Sequence, residues 1–355
     1  MQKLDRVRER LEQIGVDGIL ITNAQNRRYL TGFTGSAGII VITKTEANLY
    51  VDFRYVEQAQ TQVKDFAVIE LSRETTIFEE VAKMIDRAGL ASLGFEEGNV
   101  TYQLYTKYRN HLSVEMIPLT GVVEKLRMIK TDEEIRHIKS AAEITDQAFT
   151  HILDYIRPGI TEIDIANELE FSMRKLGAAS SAYDIIIASG LRSALPHGVA
   201  STKVVEKGDM VTLDFGAYYE GYRSDMTRTI TVGEPKPELR EIYTIVYDAL
   251  SNALTGIKPG MTGQRADALT RDFITEKGYG EQYGHGSGHG IGLDIHEEPF
   301  MSPKCEVLLE PGMIVTVEPG IYIPDLGGVR IEDDILITEE GNETITKSRK
   351  ELFVL

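Results

Sequence analysis

The chain has 355 residues, 42% hydrophobic and 26% charged, with a formal net charge of −17 at pH 7 and a single cysteine. That length accommodates two domains with sizeable cores, and the acidity argues against a nucleic-acid or anionic-membrane surface, which needs clustered Lys and Arg. With Cys305 alone no internal disulfide can form, which fits a reducing cytosol.

The opening stretch, Met1-Gln2-Lys3-Leu4-Asp5-Arg6, carries no apolar signal core and reads as an amphipathic helix with Leu4, Val7, Leu11 and Ile14 on one stripe. No apolar run is long enough to span a bilayer, so the expected location is the cytoplasm, with no membrane partner. Gly18–Ile21, Gly38–Ile42 and Ala47–Val51 read as buried strands, and residues 77–88 and 101–112 as helices, which gives an α/β layer domain. Gly32, Gly35 and Gly38 lack P-loop spacing and read as turn glycines.

The segment from Pro118 to Lys130 reads as the domain boundary, so residues 1–120 form one domain and 121–355 a second. Thr131 and Glu134 form a capping box, and Ile135, Ile138, Ala142, Phe149, Ile152 and Ile156 then make one helical stripe that stops at Pro158-Gly159.

The second domain repeats itself. Ile156-Arg157-Pro158-Gly159-Ile160-Thr161 returns as Ile257-Lys258-Pro259-Gly260-Met261-Thr262, and Gly208–Gly216 returns as Gly312–Gly320. Gly221-Tyr222-Arg223-Ser224-Asp225 likewise returns as Gly328-Val329-Arg330-Ile331-Glu332. The period, roughly 100 residues, is too long for a solenoid. It predicts two similar αβ halves about a pseudo-two-fold axis, with helices on one face of the joined sheet and a site on the other.

The repeat sets an acid at the same point of each copy: Asp214 with Glu318, and Asp225 with Glu332. A hairpin centred between Tyr219 and Glu220 would put Asp214 directly opposite Asp225, about 5 Å apart at Cβ, although a bulge at Gly221 would shift that pairing. Carboxylates so close repel unless a cation lies between them. Arg330 and Glu332 share one strand face, because strand side chains alternate. The run from His285 to His296 carries three histidines among glycines, which let backbone approach a crowded centre. His197 joins this group, and His111 is set aside. Four carboxylates and one imidazole suit two divalent ions, about −4 against +4, and oxygen-rich ligation without thiolates favours Mn²⁺, Co²⁺ or Zn²⁺. Such a pair bridges a water and lowers its pKa.

Gly288-His289-Gly290-Ile291-Gly292-Leu293-Asp294-Ile295-His296, Val317-Glu318-Pro319-Gly320 and Gly327-Gly328-Val329-Arg330-Ile331-Glu332-Asp333 resemble the signatures of the pita-bread metallopeptidases, which include methionine aminopeptidase, aminopeptidase P and prolidase. The similarity extends to the amino-terminal domain and is strongest to short bacterial Xaa-Pro peptidases. It implies an α/β creatinase/prolidase-type domain followed by an α+β pita-bread (creatinase/aminopeptidase-like) catalytic domain with internal pseudo-two-fold duplication. It further implies that Asp214, Asp225, His289, Glu318 and Glu332 hold two divalent ions, Mn²⁺ ahead of Co²⁺ or Zn²⁺. A metal-bridging hydroxide would attack the Xaa-Pro bond of short proline-containing peptides, dipeptides being favoured. Glu318 would manage the hydroxide's proton, and His197 and His296 would flank the scissile carbonyl. His285 would stand behind the ligands, and Arg330 would pair a carboxylate of ligand or substrate. The resemblance also implies a homodimer. The competing expectations are a methionine-type aminopeptidase and a non-catalytic peptide-binding protein on the same fold. The intact ligand set speaks against the second, and Arg330 with the extra domain against the first.

Overall fold

The computed structural model describes residues 3–355; Met1 and Gln2, the first two residues of the stretch read as lacking a signal core, lie outside it. The chain forms two compact units, Met1–Arg127 and Met128–Leu355. Among the described residues no helix is long and apolar enough to cross a membrane.

The first unit is a six-stranded sheet with helices. Its strands are β1 (Gly18–Ile21), β2 (Ile39–Thr43), β3 (Ala47–Asp52), β4 (Ala67–Leu71), β5 (Ser92–Glu96) and β6 (Glu115–Leu119), in the order β4-β3-β2-β1-β5-β6. The helices are α1 (Lys3–Ile14), α2 (Ala24–Thr31), α3 (Val56–Gln62), α4 (Ile77–Ala88), α5 (Tyr102–His111) and α6 (Glu124–Arg127). The apolar stripe of α1 buries Leu4, Val7 and Leu11 but leaves Ile14 exposed at the helix end. Strands β4 to β6, which the sequence pattern does not announce, are short parallel partners. Their residues are only partly buried at the β4 and β6 edges, so the apolar signal there is weak.

The second unit is built twice. Its first half contains α7 (Asp132–Tyr155), α8 (Glu162–Lys175), β7 (Ser180–Ser181), β8 (Ile186–Ser189), β9 (Met210–Phe215), β10 (Ala217–Tyr219), β11 (Tyr222–Arg223) and β12 (Met226–Thr231). Its second half contains α9 (Pro237–Gly256), α10 (Gly263–Glu276), β13 (Gly288–Gly290), β14 (Glu297–Met301), β15 (Ile314–Val317), β16 (Gly320–Ile323), β17 (Gly327–Arg330), β18 (Asp333–Ile337) and β19 (Asn342–Thr344). The order β8-β9-β12 of one half recurs as β13-β15-β18 in the other. Helix starts match as well: Thr161 caps α8 and Thr262 caps α10, and Thr131 with Glu134 forms the anticipated capping box on α7.

Alternation along the strands decides which side chains reach the site. Val211, Leu213 and Phe215 of β9 pack with Phe149 of α7 and Leu169 of α8, so Thr212 and Asp214 point to the opposite face. Val315 and Val317 of β15 pack with Val246 and Leu250 of α9, so Thr316 and then Glu318 point away from those helices. The same parity in β12 sends Met226 and Ile230 into the first core and leaves Asp225 and Thr227 on the site side.

The hairpin register differs from the sequence expectation. Asp214 lies opposite Thr227, not Asp225. Glu220 (φ 49°) and Gly221 (φ 87°) both take left-handed backbone and form a two-residue turn that sets Tyr219 opposite Tyr222. Such turns match strand twist and fix the register. Asp225 is therefore the diagonal neighbour of Asp214 on the same face. Likewise, the strand read through Val329–Glu332 stops at Arg330 and resumes at Asp333. At the break the Glu332 N–H donates to the Thr227 carbonyl at 3.0 Å, which ties the two halves together.

Candidate metal centre and active site

One cavity of about 880 Å³ is lined by all nine residues singled out in the sequence: His197, Asp214, Asp225, His285, His289, His296, Glu318, Arg330 and Glu332. His111, set aside on sequence grounds, stacks on Phe78 in the first unit.

The acids come from both halves. Ligand atoms of Asp225, His289 and Glu332 lie within 4.8 Å of one another. His289 Nε2 is 3.7 Å from Asp225 Oδ2 and 3.7 Å from Glu318 Oε1. The glycines around His289 serve this approach. A Cβ on Gly288 would lie 2.0 Å from the Thr316 carbonyl oxygen, and one on Gly290 2.5 Å from that of Glu298. The His289 N–H donates to Thr316 Oγ1 at 3.1 Å, so neighbouring strand β15 fixes the ring's backbone. Ser287, just before, is held by Asp267, which accepts from its N–H and its hydroxyl. Glu162 holds Ser189 in the same way in the other half.

Four carboxylates face one guanidinium. Arg330 donates to Asp214 Oδ2 at 2.5 Å, to the Tyr322 hydroxyl at 2.8 Å and to Thr227 Oγ1 at 3.1 Å. The carboxylate that Arg330 pairs in this structure is thus that of Asp214. Burial, then the charges of Glu332 and Asp214, push Asp225 well above the carboxylate range. Burial and the charge of Glu332 do the same to Glu318, and burial with the charge of Asp214 lifts Glu332 to about 8. Burying several anions with one cation costs several kcal/mol per unpaired ion, and divalent cations would remove that cost. The donor set therefore fits hard or borderline divalent metal ions. Burial, then His296, holds His289 at about 4, so at pH 7 it is the neutral imidazole that ligates metals.

The histidines at the cavity form a second group. The rings of His289 and His296 meet edge to face at 4.4 Å. His285 Nε2 lies 2.9 Å from the Tyr322 hydroxyl, and burial holds His285 at about 4. His197 lies close enough to depress both His285 and His296.

Tyr183, Tyr322, Thr227 and Asp334 were not singled out in the sequence. The Tyr183 hydroxyl donates to Asp214 Oδ1 at 2.5 Å and to Asp225 Oδ1. Thr227 Oγ1 donates to Glu332 Oε2 at 2.7 Å, and Asp334 Oδ2 accepts the Asp225 N–H at 2.9 Å. Asp334 was legible as part of the Glu332-Asp333-Asp334 acid run, and Thr227 as the residue two beyond Asp225. Nothing local marks Tyr183, which reaches the aspartates from outside the repeat.

Residues 136–339 match metallopeptidase family M24, and residues 3–129 match the Creatinase/Prolidase N-terminal domain. The uncharacterized peptidase YqhT of Bacillus subtilis is 56% identical over 99% of this chain and 100% of its own. The Xaa-Pro dipeptidase of Pyrococcus furiosus is 41% identical over 99% of each chain. A solved Xaa-Pro dipeptidase from Bacillus anthracis superposes with a TM-score of 0.98 at 58% identity, covering 99% of both chains. The two-part architecture anticipated from the motifs is the one found.

Proposed function

The chain belongs to the M24 metallopeptidases, and from that premise we propose that it hydrolyses the Xaa-Pro bond of dipeptides and short peptides with two divalent ions, Mn²⁺ foremost. The observation that carries this reading is the gathering of Asp214, Asp225, His289, Glu318 and Glu332 on one cavity wall beside a single guanidinium. Relatives named Xaa-Pro dipeptidase supply the substrate class. These five residues would hold the ions.

When bound, the ions supply a water of lowered pKa and positive charge for a developing oxyanion. The protein's own groups do the rest. Glu318, which lines the cavity beside His289, would accept the proton of the attacking water. His197 and His296 line the cavity beside the ligands; they hold the carbonyl oxygen and pass a proton to the proline nitrogen as the C–N bond breaks. That nitrogen carries no hydrogen in the substrate, so a proton must be delivered to it. Arg330 and Tyr183 orient Asp214, and Tyr322 links Arg330 to His285. The apolar wall of Leu195, Pro196, Ile295 and Phe300 offers a surface for the proline ring. A homodimer, on the strength of the resemblance, and a cytoplasmic location, on that of the lone cysteine, complete the reading.

Hydrolysis of Ala-Pro and Ala-Pro-Ala by Mn²⁺-loaded protein tests the proposal. Cleavage of neither rejects it, and cleavage of Met-Ala without Ala-Pro would favour a methionine-type aminopeptidase.

A further inference from the structure

Behind the candidate metal centre, on the helix side of the sheet, lies a charged hub outside the cavity. Arg228 is 1% exposed, although arginine is among the residues least often fully buried. Its guanidinium donates to the Thr227 carbonyl at 2.9 Å, to the Glu332 carbonyl at 2.5 Å and to Asp333 Oδ1 at 2.7 Å. The remaining bonds go to the carbonyls of Ser348 at 2.8 Å and Arg349 at 3.2 Å. Asp333, wholly buried, also accepts the Thr346 hydroxyl at 2.8 Å and pairs with Lys350 at 3.0 Å. The same Thr346 hydroxyl accepts the N–H of Asp334 at 3.2 Å, and Asp334 in turn holds the Asp225 N–H.

The segment Thr346–Lys350 thus reaches two proposed ligands by two short routes. One runs through Asp333 and Arg228 to the Glu332 backbone. The other runs through Asp334 to the Asp225 backbone. Glu332 has its N–H, its carbonyl and one carboxylate oxygen all committed to Thr227 or Arg228. Its remaining freedom is small, and ligand groups held within a fraction of an ångström are what tight metal binding requires. Apolar packing, such as that of Phe353 on Phe149 of α7, already anchors the chain end; it does not call for a buried Asp333 with three cationic or hydroxyl partners.

We propose that Thr346 and Lys350 are positioning residues for the metal centre: by clamping Asp333 and Asp334 they fix the backbones of Glu332 and Asp225 and so set metal affinity without touching metal or substrate. The proposal rests on the two-ion reading above; wild-type chain that binds no Mn²⁺ would sink that reading before any variant is made.

The test is Mn²⁺ titration calorimetry on the full chain, paired with thermal melting of the metal-free protein. Lys350→Met keeps the aliphatic stem and removes the charge; Thr346→Val keeps the shape and removes the hydroxyl. Each is expected to weaken Mn²⁺ binding at least fivefold, whereas Lys350→Arg and Thr346→Ser restore affinity to within twofold of wild type. Should Lys350→Met fail to fold, Thr346→Val decides by the same criterion. Folded variants with unchanged Mn²⁺ affinity would overturn the proposal. So would loss of the fold in both, since the segment would then be a stability element.

Discussion

Arg330 and Asp214 form a buried ion pair across the candidate centre, with Nη2 2.5 Å from Oδ2. The pair aims one Asp214 oxygen, while the Tyr183 hydroxyl takes the other. Arg330→Met should lower kcat/KM about 10–100-fold, the range seen when partners of metal ligands are removed. In the metal-free protein it should also cost about 3–5 kcal/mol, because a buried carboxylate loses its cation. Steady-state kinetics and denaturant unfolding measure the two effects, and unchanged kinetics would remove Arg330 from the centre.

His197 and His296 are predicted to act on substrate and not on metal. His197→Ala and His296→Ala should each lose about 10²–10⁴-fold in kcat while retaining wild-type metal content by plasma mass spectrometry. Metal loss in both would make them ligands.

Proton competition should be visible in metal binding. In the metal-free chain burial and the charge of Asp214 push Glu332 up to about 8, so the folded protein holds extra protons between the unfolded and folded pKa. Stability of the metal-free chain therefore falls as pH rises from about 5 to 8, by the linkage between proton uptake and folding. Metal must displace those protons. Mn²⁺ affinity should rise with pH up to about 8, and calorimetry at pH 7 in buffers of different ionisation enthalpy should report proton release. Buffer-independent heats would contradict the assignment of Glu332 as a ligand.

Substrate length can be tested from the same arginine. Among the described residues lining the cavity, Arg330 is the only one with a permanent positive charge, and each of its three nitrogens already donates within the site. Its charge is already balanced by Asp214, so a substrate carboxylate would have to share the guanidinium with that partner. Ala-Pro-NH2 and Ala-Pro-Ala are expected to show kcat/KM values within tenfold of Ala-Pro. A hundredfold loss on amidation would show that the carboxylate is recognised.

The architecture was legible because the repeat carries its signal in residue type. Matched acids, matched Pro-Gly turns and a Gly-rich histidine run required no knowledge of tertiary contacts, and all nine singled-out residues reach one cavity. The register was not legible from symmetry alone. Glu220 in left-handed backbone is a steric exception for a non-glycine residue, and that single choice moved Asp214 opposite Thr227. Tyr183 was hidden for another reason: a lone tyrosine outside the repeat carries no periodic mark, and only folding brings its hydroxyl to Asp214 and Asp225. Arg228 was hidden because an arginine in a strand normally reads as solvent-facing.

The most direct measurement is anomalous diffraction from crystals of the chain grown with Mn²⁺. Two anomalous peaks per chain are expected, within coordination distance of Asp214, Asp225, His289, Glu318 and Glu332, and both should vanish or weaken in Asp225→Asn with activity down at least about a hundredfold. Peaks elsewhere, or a wild-type cavity without manganese while Ala-Pro is still cleaved, would contradict a dinuclear centre built from the two halves.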